Sequence, residues 1–397
     1  MLAAILCGLG GFPTGGLLLA GAITADDAIE VHAALQLIGW CGLFVLGVAM
    51  HVVPRFHDDA AVAFPWPQRL SLGLVVGGLF GGAVARIGLT GAGGEIIAVI
   101  SAIAVGAGML TAAVTLGRVL RHPTTSPRPV THWLWLGTGG ACLTAMFYAA
   151  HGIAQASGLP GPEAAHWRRA YHATALHLFI LPFAFGISAR AFAGLLAWRP
   201  RRHWLDRIAV ALLGAGGITV AAGEVLGRRD VAGAGALGVA CAILAFLAGV
   251  RALERPEMLM GPAWFRRLLR LAHLWLACAA VLVGWSAFDV LGVEVRGERA
   301  TRPALHALTV GYLSVLILVG AARLLPLFEG RALRFQVALP VAVFVLTTST
   351  VVRTLDAFVA LPSAWVNAAA GLGAVGYVIG VSPLLTLLLS APRPGGR

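Results

Sequence analysis

Five histidines lie inside long apolar stretches of the chain, at one end of each stretch. They are His32, His151, His172, His177 and His306. Polar groups in a membrane interior are costly, so they are usually found where they bind a partner. A single histidine of this kind is typically hydrogen-bonded to a loop carbonyl, but neutral imidazole is also a common ligand of haem iron and copper. Since all five are predicted at one depth, we interpret them as candidate metal ligands.

Two of these stretches resemble each other. "HAALQLIGWCGLFVLGVAMHVVPRF" begins at His32, and "HALTVGYLSVLILVGAARLLPLFEGR" begins at His306. Each histidine is followed about two turns later by a glycine, Gly39 or Gly311, and small residues let a helix or a flat macrocycle approach closely. This pattern predicts that His32 and His306 are opposed axial ligands of one haem, although ordinary helix packing also explains the glycines.

Three further polar side chains are candidates for the same haem site. Gln36 shares a helix face with His32 and Gly39, because residues four apart lie on one side of a helix. Arg302 and Arg299 precede His306 and could pair with haem propionates, or they could be positive anchors at the membrane surface. We therefore expect Gln36 and Arg302 near the cofactor.

His172 and His177 present a geometric difficulty. Five residues apart, they point about 140° apart on a straight α-helix, which prevents both from holding one small ion. Pro182 removes a backbone hydrogen bond and could make the helix irregular there. Alternatively, one histidine binds a haem and the other joins His151 at a second metal. Few carboxylates are expected in this layer, since Asp289 and Asp356 alone approach span ends, and this favours nitrogen-ligated metals.

The composition requires a membrane protein. Of 397 residues, 59% are hydrophobic and 12% are charged, and the mean hydropathy is +0.86; a soluble chain carries about twice that charged fraction. Apolar runs recur at lengths that cross a ~30 Å hydrocarbon core. They predict about twelve spans in one all-α domain, residues 1–397, surrounded by membrane lipid. The predicted spans are 3–23, 29–53, 70–90, 95–118, 132–157, 168–197, 205–226, 231–252, 264–290, 303–326, 335–358 and 364–390.

Charge placement predicts the orientation of these spans. All basic residues are arginines, and most follow the even-numbered spans, whereas most acids lie in the opposite loops. The positive-inside rule then predicts cytoplasmic termini, with the five histidines in the outer half of the membrane. The net charge of +12 is thus a topology signal, and we expect no nucleic-acid partner. The first run lacks a preceding basic segment, so we expect it to be retained.

The two histidine-led stretches, together with "FAFGISARAFAGLL", resemble the NnrS family. The likeness covers spans 2, 6 and 10, and "HALTVG" is its most specific part. It implies a bacterial inner-membrane protein that contains haem and copper and that acts in nitric oxide metabolism and nitrosative stress. We therefore expect a haem, with copper as a second candidate metal, and a diatomic gas such as nitric oxide as ligand.

Two other function classes remain open at this stage. The chain also resembles the catalytic subunits of haem-copper oxidases and nitric oxide reductases, but span 10 has one histidine where those proteins need HxH, and span 7 has no histidine pair. A transporter would favour broken helices and charge near the midplane. We assign no catalytic residue, and the sequence leaves open whether the protein is an enzyme.

Overall fold

The described part of the chain is a bundle of helices. The structure is a computed structural model that describes the chain except for residues 20–24, 57–64, 90, 123–127, 158–160, 197–201, 255–261, 291–297, 357, 360 and 391–397. Its α-helices are α1 (Leu2–Leu19), α2 (Ala25–Ala34), α3 (Leu43–Phe56), α4 (Pro65–Gly88), α5 (Ala92–Leu120), α6 (Arg128–Ala156), α7 (Gly161–Ala173), α8 (Leu181–Leu196), α9 (His203–Val225), α10 (Arg229–Val250), α11 (Ala263–Val290), α12 (Glu298–His306), α13 (Val315–Glu329), α14 (Ala338–Leu355) and α15 (Ser363–Leu389). Three π-helical segments interrupt this series: π1 (Leu35–Gly42), π2 (Thr174–Ile180) and π3 (Ala307–Ser314).

Ten spans in the described residues are long and apolar enough to cross a membrane. Helices are expected there, because a backbone without water must satisfy its hydrogen bonds within the segment. The prediction of a polytopic helical membrane bundle is confirmed at this level. The predicted spans 3–23 and 132–157 coincide with the helices α1 and α6, which do not belong to these ten.

Three spans form the centre of the bundle. The most apolar windows of Asp27–Phe56, Ala164–Arg190 and Ala300–Glu329 are 72%, 89% and 72% buried, whereas those of the other seven are 28–44% buried. These are the spans that carry His32, His172 with His177, and His306. The histidine-bearing spans are therefore enclosed by the rest of the protein, and the outer spans present their apolar surface to lipid.

Each central span has the same plan: an α-helix, a π-helical segment of seven or eight residues, and a second α-helix. In a π-helix the hydrogen bonds run between residues five apart, and such segments are rare and frequent at functional sites. Pro182, the second residue of α8, lacks the N–H that would bond back into π2. The irregularity expected near Pro182 is thus present, and the resemblance between the His32 and His306 stretches extends to their backbones.

The glycines near the histidines serve helix packing. A Cβ added at Gly39 would lie 2.5 Å from Cβ of Cys7 in α1, and one added at Gly311 would lie 2.7 Å from the indole of Trp275 in α11. Gly140 of α6 similarly admits the carbonyl group of Leu178 in π2. Protein side chains occupy the space beside Gly39 and Gly311, as the packing explanation of these glycines predicts.

Candidate functional site

The His32 ring is held by α1. Its Nδ1 atom lies 2.7 Å from the carbonyl oxygen of Gly11, and since a carbonyl only accepts, Nδ1 carries the proton and donates. The ring also packs against Gly15, where an added Cβ would lie 2.5 Å from Cε1. The Nε2 atom of His32 is therefore the unprotonated nitrogen of the neutral ring.

His306 is fixed in the same way from within its own helix. Its Nδ1 atom donates to the carbonyl oxygen of Arg302 at 2.8 Å. Metal-ligating histidines usually donate one ring N–H to a backbone carbonyl, which sets the tautomer and leaves the other nitrogen for the metal. Both His32 and His306 have this arrangement.

The two histidines belong to one electrostatic cluster. The helix α14, which carries Arg353, packs against α12 and π3, and π3 packs against π1. The positive charge of Arg353 therefore lies on the side of the bundle that contains both histidine-led segments. Arg302 acts on His306 and on Arg353. The structure thus assembles His32, His306 and two arginines from α2, α12 and α14.

These residues suit a haem group. Two imidazoles can present Nε2 to iron, and two guanidinium groups can accept carboxylates, since arginine binds carboxylates through paired hydrogen bonds. Arg302 precedes His306 by one helical turn, and its proximity to a cofactor stays a prediction. Arg353 was not predicted from the sequence. The side chain of Arg299 lies outside the described residues.

Gln36 lies one turn beyond His32 in π1 and faces α1. Its Nε2 atom is buried without a hydrogen-bond partner in the described structure, and an added Cβ at Gly11 would lie 2.7 Å from it. Buried amide N–H groups in proteins normally donate to an acceptor. Gln36 therefore shares with His32 the contact to Gly11, and its N–H donors are available to a ligand.

His172 and His177 flank the beginning of π2. Nε2 of His172 and Nδ1 of His177 are buried and lack hydrogen-bond partners in the described structure. The i→i+5 hydrogen bonding of π2 brings residues five apart nearly one turn above each other, unlike in an α-helix. The angle between the two side chains is therefore smaller than the angle of about 140° expected on a straight α-helix, which favours a shared ligand.

His151 lies in a different environment, an ion network at the same end of the bundle. Its Nε2 atom is 2.7 Å from Oε2 of Glu30, and its Nδ1 atom is 3.2 Å from the carbonyl oxygen of Ala164. Both partners carry acceptor oxygens, so both ring nitrogens of His151 are engaged within the protein. His151 has no ring nitrogen left for a metal in this arrangement, in contrast to its predicted role.

Glu30 is the centre of this network. Besides His151, its carboxylate accepts from Gln155 at 3.0 Å and from Arg168 at 3.2 Å, and it lies 3.4 Å from Arg86. Arg86 in turn donates to Gln155. The expectation that the histidine layer lacks carboxylates is therefore wrong: Glu30, which follows two loop-like aspartates in the sequence, lies in α2 and is 8% exposed.

The network borders a small cavity and an aromatic contact. The cavity has a volume of about 20 Å³, which is room for one water molecule. The residues that line it include Glu30, Arg86, Tyr148, His151 and Tyr171. The Tyr171 ring lies 5.8 Å from His151 and 4.3 Å from His172. Tyr171 therefore lies between the network and His172 of α7.

His273 is a further buried histidine, outside the five predicted ligands. It lies in the first half of α11, is fully buried, and its Nδ1 donates to the carbonyl oxygen of Leu269 at 2.8 Å. Its ring centroid is 5.9 Å from that of Tyr312 in π3. This contact could not be predicted from the sequence, because α11 does not contain the histidine-led pattern.

The five predicted ligands do not converge on one point. They divide into His32 with His306, His172 with His177, and His151 with Glu30. No group of three or more histidine, cysteine or acidic side chains among the described residues is arranged to hold a single metal ion.

Comparison with known proteins adds no further constraint. No protein-family model matches the chain, and no curated protein matches it. The functional argument consequently rests on the residues of this chain.

Proposed function

We propose that this protein is a haem-binding membrane protein of the NnrS type that binds nitric oxide or a related diatomic gas. His32 and His306 are the residues that would bind the haem iron. The observation that carries the proposal is their shared arrangement: each precedes a π-helical segment in a central span, and each donates Nδ1–H to a backbone carbonyl. Because Nδ1 of each ring carries the proton, the Nε2 atom of each ring has a lone pair that can bind a metal.

The protein's own residues would perform three tasks. Gly11 and Arg302 orient the two imidazoles through their carbonyl oxygens. The buried central spans exclude water, and an apolar gas reaches them by partitioning into the bilayer. A bound ferrous haem with a displaceable axial ligand would supply the gas-binding chemistry.

The optical spectrum of the purified protein tests this proposal. We expect a Soret band and about one iron per chain when the protein is produced in haem-replete cells. His32→Ala and His306→Ala should each remove or shift the band, whereas His51→Ala should leave it unchanged, because His51 is exposed at the opposite end of its span. A colourless wild-type protein, or wild-type spectra for both variants, would contradict the assignment.

Copper is the second metal in the proposal, at His172 and His177. Their partnerless buried ring nitrogens support it, since two imidazoles on one helix suit a soft or borderline ion. Metal analysis of the His172→Ala/His177→Ala double variant should show loss of copper with iron retained. Equal copper in the wild type and the variant would exclude this site.

We further propose twelve spans in a bacterial inner membrane, with both termini in the cytoplasm. The arginine asymmetry supports this orientation. Alkaline phosphatase fused after Arg397 should be inactive, and the enzyme inserted near Gly161 should be active. The opposite pattern would place the His32 end of the bundle at the cytoplasmic side.

A further inference from the structure

Arg353 is a partly buried cation near the end of α14. This helix packs against α12 and π3, the elements that carry and follow His306. Neither Arg353 nor Arg302 forms an ion pair with any carboxylate of the described chain. Withdrawing a guanidinium from water is costly unless an anion or several acceptors compensate for it.

The neighbouring groups do not supply that compensation. The ionisable groups that act on Arg353 are Arg302, which repels it, and Asp356, which attracts it from beyond ion-pair distance. One oxygen of Asp356 already accepts the backbone N–H of Leu361 at 3.0 Å. The other neighbours, His32 and His306, are neutral or positive. Among the described residues, the cluster therefore carries surplus positive charge, which is complementary to an anion.

We propose that Arg353, together with Arg302, binds the carboxylate groups of the macrocycle whose metal His32 and His306 coordinate. This inference rests on the proposed haem function and adds the residue that recognises the acidic edge of the ligand. Because α14 packs against α12 and π3, an anion bound by Arg353 would lie beside the segment that carries His306. Arginine suits this role because its planar guanidinium binds a carboxylate through two parallel hydrogen bonds.

Titration of the protein, purified from haem-deficient cells, with haem and with haem dimethyl ester tests the proposal. The ester retains the iron and the ring but lacks the negative charges. We expect the wild type to bind haem about tenfold to a hundredfold more tightly than the ester, the range for a hydrogen bond to a charged group. Arg353→Gln should weaken haem binding by a similar factor and leave the affinity for the ester unchanged.

Arg323→Gln is the matched control, because Arg323 is an exposed arginine in α13 with no role in the cluster. It should bind both ligands as the wild type does. Equal wild-type affinities for haem and its ester would overturn the role of Arg353 even if the Arg353 variant did not fold. Binding of neither ligand by the wild type would instead reject the haem function itself.

Discussion

Two polar regions lie at the same end of the bundle and satisfy their charges differently. In the network around Glu30, one carboxylate is shared by two arginines, a histidine and an amide, all within 3.4 Å. In the cluster of His32 and His306, two arginines have no carboxylate at ion-pair distance among the described residues. Among the described residues, the first region pairs its charges within the protein, whereas the two arginines of the second region do not form ion pairs.

This difference separates a structural role from a binding role. A buried ion pair is strongly destabilising only when one partner is removed, because the other charge is then left uncompensated. A half-buried cation without an ion pair among the described residues carries part of that cost, which a bound anion would offset. The Glu30 network joins the ends of four spans, whereas we propose that the Arg353 cluster binds a ligand that supplies the anion.

The largest expected effect is on Glu30. Glu30→Ala leaves Arg86, Arg168 and His151 without their shared anion, and we expect a loss of about 3–5 kcal/mol in the free energy of unfolding. Thermal unfolding of the purified protein in detergent measures it. Arg353→Gln is the comparison variant and should leave the stability of the ligand-free protein unchanged or raised. Equal losses in the two variants would remove the distinction between the regions.

A smaller effect is expected at Gly15. An added methyl group there would lie 2.5 Å from Cε1 of His32, so the imidazole must shift. We expect Gly15→Ala to retain bound haem with an altered absorption spectrum, at a cost of about 1–3 kcal/mol in stability. Gly73→Ala is the control, since nothing lies within 4 Å of the corresponding position. An unaltered spectrum for Gly15→Ala would show that His32 is not a ligand in this orientation.

The smallest effect concerns the contact between π1 and π3. Trp40 donates its indole N–H to Oγ of Ser314 at 3.0 Å, and Ser314 donates to the carbonyl oxygen of Thr309. Ser314→Ala leaves the buried indole N–H without an acceptor, and we expect a loss of about 1 kcal/mol. Ser286→Ala, which removes a hydrogen bond within a single helix, should cost less. Chemical denaturation of the two variants would rank them.

The sequence predicted the apolar helices and the likeness of the His32 and His306 stretches because both depend on local patterns. Apolar length identifies a span, and the shared histidine–glycine spacing identified two spans that both contain a π-helical segment. The binding of one haem by His32 and His306 stays a prediction. The tautomer of His32 could not be predicted, since the Gly11 carbonyl that fixes this ring belongs to another helix.

The Glu30 network and Arg353 were missed for a related reason. Glu30 follows Asp26 and Asp27, so its stretch resembles an exposed loop, and its partners lie far along the chain in α4, α6 and α7. Arg353 near a span end resembles an ordinary membrane-surface anchor. The packing of distant helices places charged partners around Glu30 and none of the described carboxylates at ion-pair distance from Arg353. A local stretch of sequence does not show this packing.

The three π-helical segments also set the rotation of the two α-helices of each central span relative to each other. An α-helix advances by about 100° and 1.5 Å per residue, so converting π1 to α geometry would turn α2, with His32, relative to α3 by a large fraction of a turn. The same conversion in π3 would turn His306. Because π1 and π3 are joined by the Trp40–Ser314 hydrogen bond, a change of register in one span would strain the other. The two histidines are thus mechanically linked through the backbone elements that carry them.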